Sequence, residues 1–329
     1  MNAIVGDALE VEIRVCTFES IGPAWQRLWS RVPGATPFAA PAWLIAWARH
    51  YAPDRCWVGA ASRADELVGC LPMFCWQDRL LLAGTGPSDH GEALLLPGFE
   101  WCARELLAKT LSAIDRPIEA IDLQQLRAGS ALLTMASPRG WRDTVDGGVV
   151  CPVLALAGAD GTAEIPKRMQ RNWRYSLHAI ARHAGRVERV PDDESTDALA
   201  ELARLHALRW AERGETGVLA DPLLRRLLSD VGPALAEAGL LRLQRLVVGA
   251  RTVAVLFAMH GDRQTCCYLS GFDPAFAKLS PVTALVGATI AQAAREGDHA
   301  VDFLRGEEPY KYGWGAAPEA RFRRVFVPV

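Results

Sequence analysis

Between residues 302 and 315 the chain reads Asp-Phe-Leu-Arg-Gly-Glu-Glu-Pro-Tyr-Lys-Tyr-Gly-Trp-Gly. One short stretch thus gathers Asp302, Arg305, Glu307, Glu308, Tyr310, Lys311, Tyr312 and Trp314. Carboxylates, phenols and an ammonium are the groups of proton transfer and charge stabilisation. The stretch follows a predicted strand at 300–304, and functional groups collect on loops held by rigid scaffolds. Gly306, Gly313 and Gly315 allow tight turns or close approach of a substrate. The alternative is a glycine-rich connection carrying a solvated charge run. Lysine is scarce: only Lys109, Lys167, Lys278 and Lys311 occur against 36 Lys plus Arg. A lysine set between aromatics in an arginine-using chain is therefore worth a question, because ammonium and guanidinium are not interchangeable.

Other groups of chemical interest are spread along the chain. A Gly/Pro/Asp-rich loop, GTGPSDHGE (84–92), carries Asp89 and His90. A basic helix, expected over 164–184 and ended by Gly185, carries Lys167, Arg168, Arg171, Arg174 and Arg182, with Trp173 and Tyr175 interleaved. Arg171, Arg174 and His178 fall on one face, which suits either phosphate recognition or plain solvation. His206, Arg209 and Trp210 either line a substrate groove or belong to an ordinary amphipathic helix.

The elements that position these groups follow from periodicity. Residues 11–18 alternate as a strand. Helices follow over 19–31 and 41–51, the second opening on Pro41. Strand-like runs at 56–61, 67–75 and 79–83 precede the loop at 84–92. A helix near 100–113, a strand at 118–123, a short helix near 128–136 and the segment 141–156 complete the first half. After the basic helix come a strand at 186–190, helices at about 195–213 and 221–238, and strands at 240–248, 252–260 and 264–272. Ser280-Pro281 then opens a helix over 281–296. Residues 321–328 alternate as a final strand.

The halves share an order of elements: an antiparallel meander, a loop, a helix and a short strand. The short strands read Ala120-Ile121-Asp122-Leu123 and Ala300-Val301-Asp302-Phe303. Duplication of one unit is the expectation. The predicted fold class is α/β (α+β): tandem halves, 1–158 and 159–329, each a mostly antiparallel central sheet flanked by helices.

Half of the residues are hydrophobic and 22% are charged, enough for large cores and too apolar for disorder. A net charge of −2 advertises no global nucleic-acid field. The opening MNAIVGDALEVEIRV has no basic n-region and carries Asp7, Glu10 and Glu12, so no secretory signal is expected. No apolar run reaches the roughly 18 residues of a membrane span. The eight cysteines are scattered, without metal spacing or CxxC, and read as buried thiols in a reducing cytoplasm; no metal is expected.

The 302–315 segment resembles the C-terminal motif of GNAT acyltransferases related to cellulose biosynthesis (CelD-type). PFAAPAWLIAWARHY (37–51), SDHGEALLLPG (88–98), KRMQRNWRYSLHAIARHAG (167–185) and LHALRWAERGETG (205–217) resemble further stretches of that family, so the similarity spans nearly the whole chain. More distantly the chain resembles the Fem-type peptidyltransferases, also tandem GNAT-like folds, which use aminoacyl-tRNA. The resemblance implies acyl transfer to an amine of a small molecule or saccharide, with acyl-CoA (acetyl-CoA) as co-substrate. An aminoacyl-tRNA donor is the alternative, and it alone would bring a nucleic-acid partner. A non-catalytic GNAT scaffold in a biosynthetic complex is the third reading.

On that resemblance Lys311 supplies positive charge near the reacting carbonyl, and Asp302 orients Lys311 or Arg305. Glu308 is the first candidate base, followed by Asp89 and His90 if their loop reaches the same cleft. Arg305, Gly306, Tyr310, Trp314, His90, His206, Arg209 and Trp210 are the expected substrate contacts. The GNAT pyrophosphate turn would fall at Phe276–Pro281. It lacks the usual glycines, leaving Lys278 and Ser280, with Arg171 and Arg174 of the basic helix, to meet a donor phosphate.

Overall fold

The structure is a computed structural model, and it describes residues 11–52, 56–156 and 165–329. The acids Asp7 and Glu10 and the expected boundary at 158/159 lie outside the described residues.

The chain opens with β1 (Val11–Cys16), α1 (Phe18–Trp29) and α2 (Pro41–Tyr51). A meander follows: β2 (Cys56–Arg63), β3 (Glu66–Trp76), β4 (Arg79–Leu82) and the short β5 (Leu94–Leu95). Then come α3 (Cys102–Ser112), β6 (Ala120–Arg127), α4 (Ala131–Thr134) and the long β7 (Trp141–Ala155). The later elements are α5 (Lys167–Arg182), β8 (Gly185–Arg189), α6 (Ser195–Glu212), α7 (Pro222–Glu237), β9 (Leu241–Val248), β10 (Arg251–His260) and β11 (Gln264–Phe272). Last are α8 (Pro281–Glu296), β12 (Ala300–Asp302), α9 (Pro309–Gly313) and β13 (Ala317–Pro328).

Two compact units result. The first holds residues up to Gly148 together with Arg321–Val329; the second is Val149–Ala320. The expected α/β class is what the chain adopts: each unit is a mostly antiparallel sheet flanked by helices. The last residues of β7 and of β13 each fall in the other unit from the half in which their sequence position placed them. The end of β7 pairs antiparallel with β12, Leu154 opposite Val301, inside the second unit. The end of β13 pairs antiparallel with β6, Phe326 opposite Ile121, inside the first. The exposed edge of each short inner strand is satisfied by whichever strand reaches it, and periodicity carries no record of that choice.

The duplication is visible in register. In the first unit β4 runs parallel to β6 for three pairs, ending at Leu81 opposite Asp122. In the second, β11 runs parallel to β12 for three pairs, ending at Cys266 opposite Asp302. The two aspartates hold equivalent places but different partners. Asp122 takes a two-pronged bond from Arg323, both contacts at 2.7 Å, and those hydrogen bonds hold its carboxyl below the usual range against the cost of burial. Asp302 accepts from the Leu304 amide at 2.7 Å.

The core of the second unit is built on alternate positions of β9–β11 and on one face of α5 and α8, with Trp314 1% exposed within it. α5 is sharply two-sided. Ser176 and Ile180 are buried and Trp173 is half-buried, whereas Arg171, Arg174 and His178 are exposed.

Candidate functional site

The second unit contains a cavity of about 300 Å³ where β11 and β12 part. β12 pairs β11 only as far as Cys266, so among the described residues 267–272 have no strand partner on that side. A bulge on the other side reinforces the bend. Phe257 faces Leu269 and Ala258 faces Cys267, leaving Tyr268 as the extra residue. Into the opening come Ser270 and Phe272 from β11, the start of α8, and Tyr310 and Trp314 from the chain after β12.

The start of α8 has the features of an anion cradle. Pro281 occupies the first helical position, and Val282 and Thr283 line the cavity. The preceding Ser280 has φ +52°, and its side chain caps nothing. The first-turn amides therefore lack a side-chain partner, and the helix dipole adds positive potential there. Ser280 adopts the left-handed conformation that a glycine usually supplies. Ser176 of α5 secures it by donating to the carbonyls of Leu279 (2.9 Å) and Ser280 (3.2 Å).

The turn after β12 is fixed by two side chains. Asp302, fully buried, accepts from the Leu304 amide. Lys311, 3% exposed, donates from Nζ to the carbonyls of Leu304 (3.1 Å), Arg305 (2.7 Å) and Gly306 (3.0 Å), and pairs with Glu308 Oε2 at 2.9 Å. The carbonyls converge because Leu304 (φ +59°) and Gly306 (φ +106°) are both left-handed. A Cβ at Gly306 would also meet the Glu308 carboxylate at 2.6 Å. Lys311 stands on α9, a single turn that Pro309 starts within what the sequence suggested was loop.

Arg209 reaches the cavity from α6. Gly271 makes this possible, since a Cβ there would lie 2.5 Å from the His206 amide nitrogen, so helix and strand meet backbone to backbone. The guanidinium sits 5.2 Å from the centre of the Phe272 ring and gives Ser270 Oγ one long bond of 3.4 Å. Burial lowers its pKa. Tyr310, also in the lining, has its phenol pKa raised, first by burial and then by Cys267 and Glu308. The Cys267 thiol itself is pushed up to about 12 by burial and by Asp302, which leaves it protonated and poorly nucleophilic.

Of the residues singled out from sequence, Tyr310, Trp314, Arg209 and Ser280 line this cavity. Asp302, Arg305, Gly306, Glu308 and Lys311 form the turn beside it. His206 and Trp210 pack behind Arg209, their rings 5.8 Å apart. Burial, aided by the Arg209 charge, pulls His206 down to about 4, so it is neutral at pH 7. Lys278 lies exposed on the 3-10 helix Pro274–Leu279 and is not in the lining. Arg171 and Arg174 face solvent on α5. Asp89 and His90 belong to the first unit, 6% and 4% exposed, with His90 against Phe38. Met169, Ser270, Phe272, Val282 and Thr283 were missed by sequence reading. Only the Ser280-Pro281 helix start hinted at the last two.

A bulged antiparallel meander, strands that part after a short parallel register, and a helix start set in the opening together define the site of the second unit. Residues 167–312 match the family model of the acetyltransferase (GNAT) domain. No curated protein matches the chain. Among solved structures, FemX is 12% identical and superposes with a TM-score of 0.67 over 97% of both chains. A conserved protein of unknown function from Bacteroides thetaiotaomicron is 12% identical, with a TM-score of 0.59 over 97% of this chain and 100% of that one. The C-terminal domain of a putative lysylphosphatidylglycerol synthetase from Agrobacterium fabrum is 13% identical, with a TM-score of 0.55 over 78% of this chain and 80% of that one. At these identities the likeness is one of fold.

No group of three or more His, Cys, Asp or Glu among the described residues could hold a metal ion. Among the described residues, no helix is long and apolar enough to cross a membrane. Among the described residues the cysteines form no disulfide.

Proposed function

We propose that the second unit is an N-acyltransferase that moves an acyl group from acyl-CoA to the amine of a small molecule or saccharide. The observation that carries this is the uncapped start of α8 opening into the cavity between the parted strands. Phosphate oxygens of the donor would accept from the Val282 and Thr283 amides. The amine nitrogen attacks the thioester carbonyl, the C–N bond forms, the C–S bond breaks, and the thiolate leaves. One proton departs from the amine and one must reach the sulfur. Tyr310 is held as a neutral phenol at the cavity wall, which suits it to donate to the departing sulfur. Glu308, more than half exposed and paired with Lys311, is the proposed acceptor of the amine proton.

Lys311 takes a different part from the oxyanion role expected of it. Its donors are spent on three carbonyls and one carboxylate, so it would act by holding the 304–306 turn and by orienting Glu308. Asp302 acts as a positioning residue, and Asp89 and His90, in the first unit, take no part in the transfer.

A second reading has its own support. The outer face of α5 presents Lys167, Arg168, Arg171, Arg174 and Arg182, all exposed and none in an ion pair with a described residue, on a helix without a single acid. Such a stripe fits a polyphosphate backbone, as the Fem-type resemblance would have it for an aminoacyl-tRNA donor. Thermal shifts with acetyl-CoA and with aminoacyl-tRNA, run side by side on the full chain, test both readings. Stabilisation by acetyl-CoA supports the first and by aminoacyl-tRNA the second, while neither would leave a GNAT scaffold without a donor.

A further inference from the structure

The cavity in the second unit is electrically one-sided. Its lining contains Arg209 and the positive end of α8, and among the described residues no Asp or Glu lines it. Among the described residues Arg209 makes no ion pair. Its single hydrogen bond is the long one to Ser270 Oγ, and its other contact is the face of Phe272. The carboxylate that acts on it electrostatically, Glu308, is bound to Lys311 at 2.9 Å. A half-buried guanidinium, stacked on a ring and short of acceptors, is a costly arrangement unless an anion completes it. The planar fork matches a carboxylate with two parallel bonds.

From this we infer that the acceptor is an amine that also bears a carboxylate, an amino acid or an acidic amino sugar, and that Arg209 holds the carboxylate. The inference rests on the acyltransferase reading of the same cavity. A polyamine or aminoglycoside would find no counter-ion among the lining residues, and its ammonium groups would be repelled by Arg209 and by the α8 dipole. A carboxylate-bearing acceptor is attracted instead. The Arg209 charge also disfavours the protonated form of an amine placed near it, and so favours the free base that attacks. Arg209 is then a specificity residue that touches substrate, reached through the close α6–β11 approach at Gly271.

The test uses the full chain with acetyl-CoA and a panel of α-amino acids, each beside its own carboxamide. The expected result is a preference for the acids of about 10- to 100-fold in kcat/KM, the worth of a charge-assisted pair. Arg209→Gln should erase that preference and leave the KM for acetyl-CoA unchanged, while Arg209→Lys should keep part of it. Equal use of acids and amides by the parent overturns the inference. So does a preference that survives Arg209→Gln, or an acetyl-CoA KM that rises in its place, which would assign Arg209 to the donor. A second arm needs no turnover: calorimetric binding of N-acetylated amino acids against their amides. Binding of the acids without any turnover sinks the enzyme reading and leaves the carboxylate site standing. Turnover without carboxylate preference does the reverse, and binding of neither acid nor amide overturns the site. Melting curves of both variants confirm that each is folded.

Discussion

The Leu304 carbonyl accepts from Lys311 Nζ at 3.1 Å, and Leu304 is the residue of that turn held at φ +59°. A branched aliphatic residue in the left-handed region costs of order 1 kcal/mol or more, and it persists where surrounding bonds over-determine it. Here Asp302 takes the amide of Leu304 and Lys311 takes its carbonyl, along with those of Arg305 and Gly306. The conformation of the turn beside the cavity is thus set by one acid and one ammonium.

Lys311→Ala should therefore lose activity and stability together. Removing the ammonium leaves the turn carbonyls and Glu308 without their counterpart, at a cost of roughly 2–4 kcal/mol. Chemical denaturation of the variant measures it. An unchanged midpoint with lost turnover would return Lys311 to a direct role at the reacting carbonyl.

The start of α8 gives a test with opposite signs. Thr283→Asp adds an acid to the first turn, which should stabilise the helix by about 0.3–1 kcal/mol. The same charge would face any donor phosphate in the cavity. Acetyl-CoA affinity should fall at least about tenfold while the melting temperature holds or rises. Unchanged affinity would remove the phosphates from this helix start.

The α5 stripe should be energetically idle in the folded chain. Arg171→Ala combined with Arg174→Ala should alter stability by less than about 0.5 kcal/mol, since both side chains are exposed. If a polyphosphate donor lies along α5, the pair should weaken its binding and lower the slope of log K against log salt by about 2. Equal salt slopes for parent and variant would make the stripe a solvated face.

His206 predicts a pH window for stability. Its folded pKa is depressed to about 4 from an ordinary 6.5, so below pH 6.5 the unfolded chain binds a proton that the folded chain refuses. The contribution is complete above pH 6.5 and is lost as pH falls towards 4, by at most about 3 kcal/mol. His206→Gln should flatten that part of the stability profile, whatever its own stability. A parent and variant with parallel profiles from pH 6.5 to 4 would exclude His206 as the cause.

Much of this fold was legible in the residues. The meander of β9, β10 and β11, the Ser-Pro start of α8 and the Asp-bearing strands β6 and β12 are local patterns of periodicity and residue type, and sequence carries those directly. The two-sided character of α5 was equally plain, because 3.6-residue spacing fixes which groups share a face. The candidate site was legible in part. Tyr310, Trp314 and Arg209 could be suspected from their types, but nothing in spacing says that a helix at 209 meets a strand at 270.

Local chemistry along the chain thus settled the elements and the amphipathic faces, because both depend on neighbours within a few residues. Tertiary structure alone decided the rest. The close contact at Gly271 brings Arg209 to Ser270 and Phe272, the exchange of β7 and β13 assigns strands to units, and the left-handed turn at Leu304 draws the Lys311 ammonium inward onto carbonyls. Each depends on backbone groups distant in sequence competing for the same partners, and that competition has no counterpart in the pattern of side chains.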